Sequence, residues 1–379
     1  MTAADACPGI LDLHEARDGR VARIRIPGGY ASATRLTALA AMAARFGDGC
    51  VDVTSRGNVQ LRGVRAGTAG ELARRAASAG FLPSPAHDRA RNITASPLAG
   101  LAGHPDLRRL VKSLDRGIRA DPALAGLPGR FLFSLDDGTG RAALSSCDVG
   151  LRRRRGGTDL IVAGRETGLR APAGQGISHA LAAARAFLAR RPARWDVRIA
   201  SLPDEGAGVA AAAGGVLGDR AADTVDRLPL GPVPDTAPLA VVAAPLARLT
   251  AAQLRLIARL IRPGETARLT AAGRIVLPLA APVRAALPRL AAAGLLVADD
   301  HAFSAVTACS GMTCASSLAD VRSLAARIPG LEAVHWAGCG RRCGLPADAT
   351  AVVAVSAGQF TVAGPAGQRV LTAAPRPGS

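Results

Sequence analysis

The sequence predicts an α+β protein built twice, with two strand-helix-strand half-domains, each followed by a partner domain, in a pseudo-twofold arrangement. Three observations lead there. The order of pieces read from residue 20 onward recurs from Pro238. Within it, Val53-Thr54-Ser-Arg-Gly57-Asn-Val-Gln-Leu sets beside Leu269-Thr270-Ala-Ala-Gly273-Arg274-Ile-Val-Leu, with Thr on Thr and Gly on Gly. The segments after each copy also correspond: Asp106-Leu-Arg108-Arg-Leu110 resembles Asp320-Val-Arg322-Ser-Leu324, and both regions close on Val-Ala-Gly, at 162–164 and 362–364. The expected boundaries are a first half-domain at 17–88, its partner at 89–202, a linker at 203–237, a second half-domain at 238–299 and a cysteine-bearing partner at 300–379. Helices are expected on one face of mostly antiparallel sheets.

The elements follow in order. Arg20-Val-Ala-Arg-Ile-Arg-Ile-Pro-Gly-Gly-Tyr30 alternates basic and apolar residues and ends in a turn, which describes a half-exposed strand. Leu36, Leu39, Ala40, Ala43 and Phe46 share one helical face, with Ser32 or Thr34 as N-cap and Gly47 as the stop. A single strand is then expected from Val51 through Arg62, followed by a helix over 71–79. In the second copy Leu239 to Ala244 reads as a strand ending at Pro245, and Leu254, Ile257, Ala258 and Ile261 line the helix. Pro203 to Pro238 is rich in Gly, Ala, Pro and Asp and reads as a crossover.

The most apolar stretches are short and broken by proline, so membrane insertion is not expected. Residues 1–8 have neither a basic start nor an apolar core, so no signal peptide is read and a cytoplasmic location is expected. In that compartment clustered thiols bind metal or do chemistry more often than they pair as disulfides. The formal charge of +18 comes almost wholly from arginine, since Lys112 is the only lysine. Arginine suits bidentate capture of carboxylate or phosphate, which points to a polyanionic partner. The 3% aromatic content leaves little for base stacking, which counts against nucleic acid, and a small polycarboxylate fits equally well; composition alone does not choose between them.

Four of the seven cysteines fall in two pairs near the C-terminus, Cys309-Ser-Gly-Met-Thr-Cys314 and Cys339-Gly-Arg-Arg-Cys343. Glycines at or beside these loops allow backbone N-H groups to approach the sulfurs, as a four-thiolate cluster requires. A structural zinc site and four unconnected thiols are the alternatives at this point. A helix is expected after Cys314, with Ser317 and Asp320 as a capping box and Leu318, Val321, Leu324 and Ile328 on one face, its N-terminus favouring thiolate at Cys314. His335 is expected in the core or behind the ligands. Arg56, Asn58, Gln60 and Arg62 stand at alternate positions, so on a strand they share a face suited to an anion. The same pattern also describes a plain outward sheet face. Leu151-Arg152-Arg153-Arg154-Arg155 reads as a solvated hairpin tip. Asp137-Gly138-Thr-Gly140-Arg141 has the look of a dinucleotide fingerprint, but the strand before it runs into hairpin chemistry without a crossover helix, so NAD binding is rejected.

The duplication, the Thr54-to-Gly63 segment and the two cysteine pairs resemble the sulfite and nitrite reductase superfamily, over nearly the whole chain. Its members have ferredoxin-like halves and partner domains around a tetrapyrrole and a 4Fe-4S cluster. Within it the chain most resembles the precorrin-3B synthases of aerobic cobalamin biosynthesis. The residues that carry this are Cys7-Pro-Gly-Ile-Leu-Asp-Leu-His14, Arg23-Ile-Arg-Ile-Pro-Gly-Gly29, Leu127-Pro-Gly-Arg130-Phe-Leu-Phe-Ser-Leu-Asp136-Asp137-Gly138 and Gly338-Cys-Gly-Arg-Arg-Cys-Gly344.

The resemblance implies that Cys309, Cys314, Cys339 and Cys343 ligate the cluster, with Cys343 nearest the macrocycle. It implies anion contacts for Arg56 and Arg130; Asn58, Gln60 and Arg62, from the alternating pattern, and Arg274 in the second copy join them as candidate substrate-binding residues. The reductases have a second basic residue where this chain has Leu132, a departure that favours the synthase. The first cysteine pair has four intervening residues where relatives usually have five. The implied reaction is oxidation of precorrin-3A by O2, with hydroxylation at C20 and closure of a γ-lactone. Electrons would come from reduced nicotinamide through a separate reductase. A mononuclear non-haem iron as the O2 site is a further implication, with His14, His87, His104, Asp136 and Asp137 as candidate ligands. The rival readings are a sirohaem-dependent nitrite or sulfite reductase and a non-catalytic tetrapyrrole-binding or electron-carrier protein.

Overall fold

The computed structural model describes residues 7–192, 198–224, 227–234, 238–270, 273–328, 333–346, 349–364 and 367–372. The chain forms two compact units. Met1–His14, Ala22–Ala31 and Gly70–Arg227 make the first, and Glu15–Val21, Ser32–Ala69 and Leu228–Ser379 the second. No helix among the described residues is long and apolar enough to cross a membrane.

The first unit is built on a five-stranded sheet in the order Arg165–Pro172, Gly157–Val162, Val149–Arg154, Phe133–Asp136, Ile93–Ala95. The last three strands are mutually parallel and the other pairings antiparallel. The helices Arg108–Ala120 and Gly176–Arg190 pack on it, around Phe131, Phe133 and Phe187 with ring centroids 5.1 Å apart. Antiparallel pairings predominate across the described sheets, as the sequence predicts, but the parallel pairing here corrects the hairpin expected after Phe131 to Leu135. The chain leaves Phe133–Asp136 and returns beside it in the same direction as Val149–Arg154, a crossover with only a 3-10 turn at Leu144–Ser146. The glycine-rich loop between them does not present its N-H groups to a phosphate. Those of Gly138, Gly140 and Ala142 donate to the buried carboxylate of Asp136 at 2.8, 3.0 and 3.2 Å.

The arginine run closes a tight hairpin between Val149–Arg154 and Gly157–Val162. Arg153, Arg154 and Arg155 are exposed, but Arg152 is buried, paired with Glu166 and donating to the carbonyl of Ala222. The segment expected as a plain crossover contains a short helix, Ala207–Ala212, and a strand, Gly231–Pro232, that pairs with Leu239–Ala243. Residues 225–226 and 235–237 of it lie outside the described residues.

In the second unit the helix Ala33–Phe46 starts where the sequence places it, with the Ser32 hydroxyl accepting from the N-H of Arg35 at 3.3 Å. It buries Leu36, Leu39, Ala40, Ala43 and Phe46, and stops at Gly47, where a Cβ would stand 2.8 Å from the carbonyl oxygen of Arg62. The strand expected from Val51 to Arg62 is a hairpin instead: Cys50–Val53 and Val59–Val64 pair antiparallel around a turn at 54–58. Thr54 makes the turn, its hydroxyl accepting from Arg56 and Asn58 and its N-H donating to the Asn58 carbonyl at 2.8 Å, with Gly57 at φ 66°.

The second copy repeats the device. Thr270 donates to the Arg274 carbonyl at 2.9 Å, and Gly273 has φ 73°. Its helix, Ala251–Leu260, carries a full capping box from Thr250 and Gln253 and buries Leu254 and Ile257, with Ala258 half-buried. The two helices pack on each other, and Arg248–Thr250 pairs antiparallel with Cys50–Val53.

A separate sheet of this unit runs Val306–Ala308, Val334–Ala337, Thr350–Ser356, Gln359–Gly364, Gly367–Thr372. Its first three strands are parallel and the rest antiparallel, the same succession of directions as in the first unit's sheet.

Candidate functional site

Both cysteine pairs begin at the C-terminal ends of neighbouring parallel strands, the usual position for a ligand in such a sheet. Val306–Ala308 runs directly into Cys309, and Val334–Ala337 reaches Cys339 through Gly338. The register Ala308↔Trp336, with the Cys309 N-H on the Trp336 carbonyl at 2.9 Å, sets the two loops side by side. A second tie, from the N-H of Leu318 to the carbonyl of Gly338 at 2.8 Å, holds them there.

The glycines do what the sequence requires of them. The N-H of Gly338 donates to the Cys309 sulfur at 3.2 Å and that of Gly311 at 3.4 Å. A Cβ on Gly338 would stand 1.9 Å from the hydroxyl of Ser317, so only glycine fits between the loops. The Cys343 thiol is pushed above its ordinary range by burial, and then by the charges of Cys339, Cys309 and Cys314, with Arg341 acting in the opposite sense. The four sulfurs therefore form one electrostatic group. Among the described residues no three Cys, His, Asp or Glu side chains stand close enough to hold a single metal ion. A tetrahedral zinc site needs sulfurs about 2.3 Å from one centre. Backbone N-H groups aimed at the Cys309 sulfur are among the donors that a thiolate-held iron-sulfur group uses.

His335 lies beneath the second loop, 1% exposed, with Nδ1 on the Thr307 hydroxyl at 2.9 Å and its ring 3.6 Å from where a Cβ on Gly344 would be. Burial lowers its pKa to about 4, against a smaller raising effect from the Cys343 backbone. It is a neutral packing group, as the sequence suggests.

The helix after Cys314 departs from expectation. It spans only Val321–Ala325, capped by Asp320 alone through the N-H of Ser323 at 3.2 Å. The Ser317 hydroxyl donates instead to the Ala319 carbonyl at 3.0 Å. Leu318 and Ile328 are exposed, and Cys314 is seven residues ahead of the helix, so the helix N-terminus is not what favours its thiolate.

The residues proposed for anion binding are not gathered on one strand face. Arg56 and Asn58 belong to the hairpin turn, Asn58 with 1% exposure, and only Gln60 and Arg62 lie on the strand. Arg62 is already engaged. Its guanidinium grips Asp18 through two bonds of 3.0 Å and donates to the Ser310 hydroxyl at 3.0 Å and the Thr313 carbonyl at 2.9 Å. It thereby fastens the Cys309–Cys314 loop to the hairpin. Arg274 is 6% exposed, paired with Asp299 at 3.0 Å and donating to the carbonyl of Leu228. Arg130, in the first unit, is exposed in the turn that ends with the Phe131 N-H on the Pro128 carbonyl.

Other contributors have no local sequence signal. Arg322 donates to the carbonyl of Cys309 at 3.0 Å and pairs at 3.2 Å with the buried Asp52, which also pairs with Arg248 at 3.2 Å. These partners are 13 to 270 positions apart in the sequence, beyond the reach of a local pattern.

Of the candidate iron ligands in the first unit, His87 has both ring nitrogens occupied, by the Ser84 hydroxyl at 2.8 Å and the Asp121 carbonyl at 3.0 Å. Asp136 is enclosed by its own loop. His104 and Asp137 do meet, Nδ1 to carboxylate at 3.2 Å, and His14 is exposed.

Residues 14–79 match the model of the nitrite/sulfite reductase ferredoxin-like half domain. A ferredoxin–nitrite reductase of Leptolyngbya laminosa is 36% identical over 121 residues, 30% of this chain and 24% of that protein. One from Synechococcus elongatus is 34% identical over 126 residues, 31% and 25% of the respective chains. A precorrin-3B synthase of a Sinorhizobium species is 38% identical over 68 residues, 18% of this chain and 15% of that protein. The matched stretches thus span a quarter or less of each curated relative. The structure of Mycobacterium tuberculosis NirA protein superposes with a TM-score of 0.74 at 21% identity, over 90% of this chain and 74% of that one, a likeness of fold.

Proposed function

We propose that the chain is an internally duplicated iron-sulfur oxidoreductase acting on a tetrapyrrole, and that its reaction is the O2-dependent conversion of precorrin-3A to precorrin-3B. The observation that carries the oxidoreductase reading is the thiol quartet of Cys309, Cys314, Cys339 and Cys343, with the N-H groups of Gly311 and Gly338 on sulfur. These four residues would hold a 4Fe-4S cluster, which when bound supplies one-electron transfer. The chain's own contribution is to fix the loops through Arg62 and Arg322, and to keep His335 neutral beneath them. The recurring threonine-glycine turns and the matching sheets support the duplication.

The synthase reading rests on the match to precorrin-3B synthase and on Leu132. That side chain is 5% exposed among Leu144, Cys147, Ile161 and Ala221, where an ammonium group would be desolvated. A site for a small inorganic anion is poorer without it. Arg56, Asn58, Gln60 and Arg130 are proposed as contacts to the substrate carboxylates, whereas Arg62 and Arg274 act through the loops and strands they brace. In the proposed reaction one oxygen atom of O2 enters the product and the other leaves as water. The two further electrons come from reduced nicotinamide through a separate reductase. Domain limits of 17–88, 89–202, 203–237, 238–299 and 300–379 belong to the same proposal.

Anaerobic purification with iron, zinc and sulfide analysis, then incubation with precorrin-3A, labelled O2 and a reducing system, tests it. Mass gain of one labelled oxygen is expected. Zinc without sulfide would overturn the cluster, and a product without label would overturn the synthase. The nitrite reductase reading is favoured by the longer matches to ferredoxin–nitrite reductases. It requires a purified protein with bound iron tetrapyrrole and reduction of nitrite by a low-potential donor.

A further inference from the structure

The second cysteine loop carries two adjacent arginines, Arg341 and Arg342. Gly340, Arg341, Arg342, Cys343 and Gly344 form a continuous exposed run, in contrast to the buried strand Val334–Ala337 that leads into it. Arg342 is held at φ 48°, in the left-handed region that side chains other than glycine, asparagine and aspartate seldom occupy. Its N-H closes a turn on the Cys339 carbonyl at 3.2 Å, and its own carbonyl accepts from Leu345 at 3.1 Å. The backbone between the two cysteines is thus locked with a guanidinium at a position where glycine would be the unstrained choice.

Neither Arg341 nor Arg342 has a hydrogen bond or ion pair from its side chain among the described residues. The arginines of the surrounding framework behave differently: Arg62, Arg248, Arg274 and Arg322 are each paired with a carboxylate. Two adjacent, solvated guanidiniums immediately before a cluster ligand offer up to ten N-H donors and two fixed charges, the chemistry that recognises carboxylates in bidentate fashion.

We infer that Arg341 and Arg342 are carboxylate-capturing residues that bind acetate or propionate side chains of a polycarboxylate tetrapyrrole beside Cys343. The inference rests on the tetrapyrrole reading above and adds to it the residues that would hold the macrocycle's rim at the thiol quartet. It also gives a reason for an arginine in a left-handed backbone: the strain places the charge at the ligand's edge instead of along the loop.

The test uses the full-length, cluster-loaded protein and uroporphyrin III as a stable octacarboxylate probe, with binding read by fluorescence quenching at two salt concentrations. Wild type is expected to bind, with affinity falling as salt rises. Arg341→Gln/Arg342→Gln should bind at least about tenfold more weakly, with a smaller salt dependence and unchanged cluster absorption. Arg342→Gly separates binding from backbone effects, because glycine relieves the left-handed residue. It should keep or improve cluster retention and still weaken the probe, and coproporphyrin III, with four carboxylates, should be less affected by either variant. Equal binding by wild type and both variants would overturn the role of these arginines and leave the tetrapyrrole reading intact. No binding to wild type would overturn the tetrapyrrole reading itself. If the double variant loses its cluster, Arg342→Gly decides alone, and undiminished binding in it counts against the inference.

Discussion

Arg62→Met is the most informative single perturbation of the cysteine corner. Its guanidinium makes four hydrogen bonds: two to Asp18, one to the Ser310 hydroxyl and one to the Thr313 carbonyl, all at 2.9–3.0 Å. The Arg62 side chain is 6% exposed and that of Asp18 21%. Removing one member of a buried pair typically destabilises by about 3–5 kcal/mol, since the partner charge is left behind. Water reaches Asp18, so the expected loss is nearer about 2–3 kcal/mol. Asp18→Asn in the same background should recover about 1 kcal/mol or more, because the stranded charge is gone. Denaturant midpoints of the cluster-free protein measure this. Cluster loss to an iron chelator is the second readout, and it should be faster in Arg62→Met because the Cys309–Cys314 loop is untied. A variant with unchanged midpoint and unchanged cluster release, but impaired substrate binding, would refute the loop-anchoring role and restore Arg62 to the anion site that its alternation with Gln60 suggests.

Other outcomes follow from the same geometry. Gly338→Ala should lower cluster content and cost about 1–3 kcal/mol by driving a methyl group onto Ser317, with partial recovery in Gly338→Ala/Ser317→Gly; iron-to-protein ratios and melting curves check it. Cys339→Ser should abolish the cluster absorption, whereas Arg56→Ala should retain it and weaken substrate binding or turnover. Leu132→Lys should destabilise the first unit by about 2–4 kcal/mol and not create nitrite binding, because its site is apolar and closed; denaturation and nitrite titration test both halves. Asp159 is buried enough to oppose ionisation, but hydrogen bonds from Arg170 and Arg154 hold its carboxyl below the usual carboxylate range. Its stabilising contribution is therefore present above about pH 4 and lost as pH falls through the depressed folded value, and Asp159→Asn should flatten that acid limb by less than about 1 kcal/mol.

Local physics made part of this molecule readable in advance. Ser32, the 3.6-residue spacing from Leu36 to Phe46, and Gly47 define a helix with its start, buried face and end, and the structure has all three. The pairs Thr54/Gly57 and Thr270/Gly273 stand in register in the sequence, and at both places the threonine N-H donates to the carbonyl four residues on and the glycine has positive φ. The turn at Thr54 is where the reading failed. Alternation of Arg56, Asn58, Gln60 and Arg62 satisfies a strand period, but Thr54 closes a hydrogen-bonded loop that period 2 does not detect, so half the set leaves the face. The helix after Cys314 failed for another reason. Ser317 and Asp320 have capping-box spacing, yet the Ser317 hydroxyl is needed against Gly338 and Ala319, and tertiary contact outweighs a local propensity of a few tenths of a kcal/mol to about 1 kcal/mol.

An arginine next to a cluster loop, such as Arg62, invites a functional reading, since a cation there can meet a substrate anion. What decides between that and bracing is whether its donors are already taken, and this depends on Asp18, Ser310 and Thr313, residues 44, 248 and 251 positions away. The same criterion applied to Arg341 and Arg342 gives the opposite result: their donors are open and their backbone is held against preference. The shortened first loop then finds its place. The loop from Cys309 to Cys314 is fastened by Arg62 on Ser310 and Thr313, by Arg322 on the carbonyl of Cys309 and by the N-H of Arg17 on the carbonyl of Thr313. The second loop carries its two arginines exposed, as the proposed capture of ligand carboxylates requires. A one-residue insertion in the first loop should therefore weaken its fastening while leaving tetrapyrrole affinity nearly unchanged, and the reverse pattern would mean that the first loop, not the second, carries the binding face.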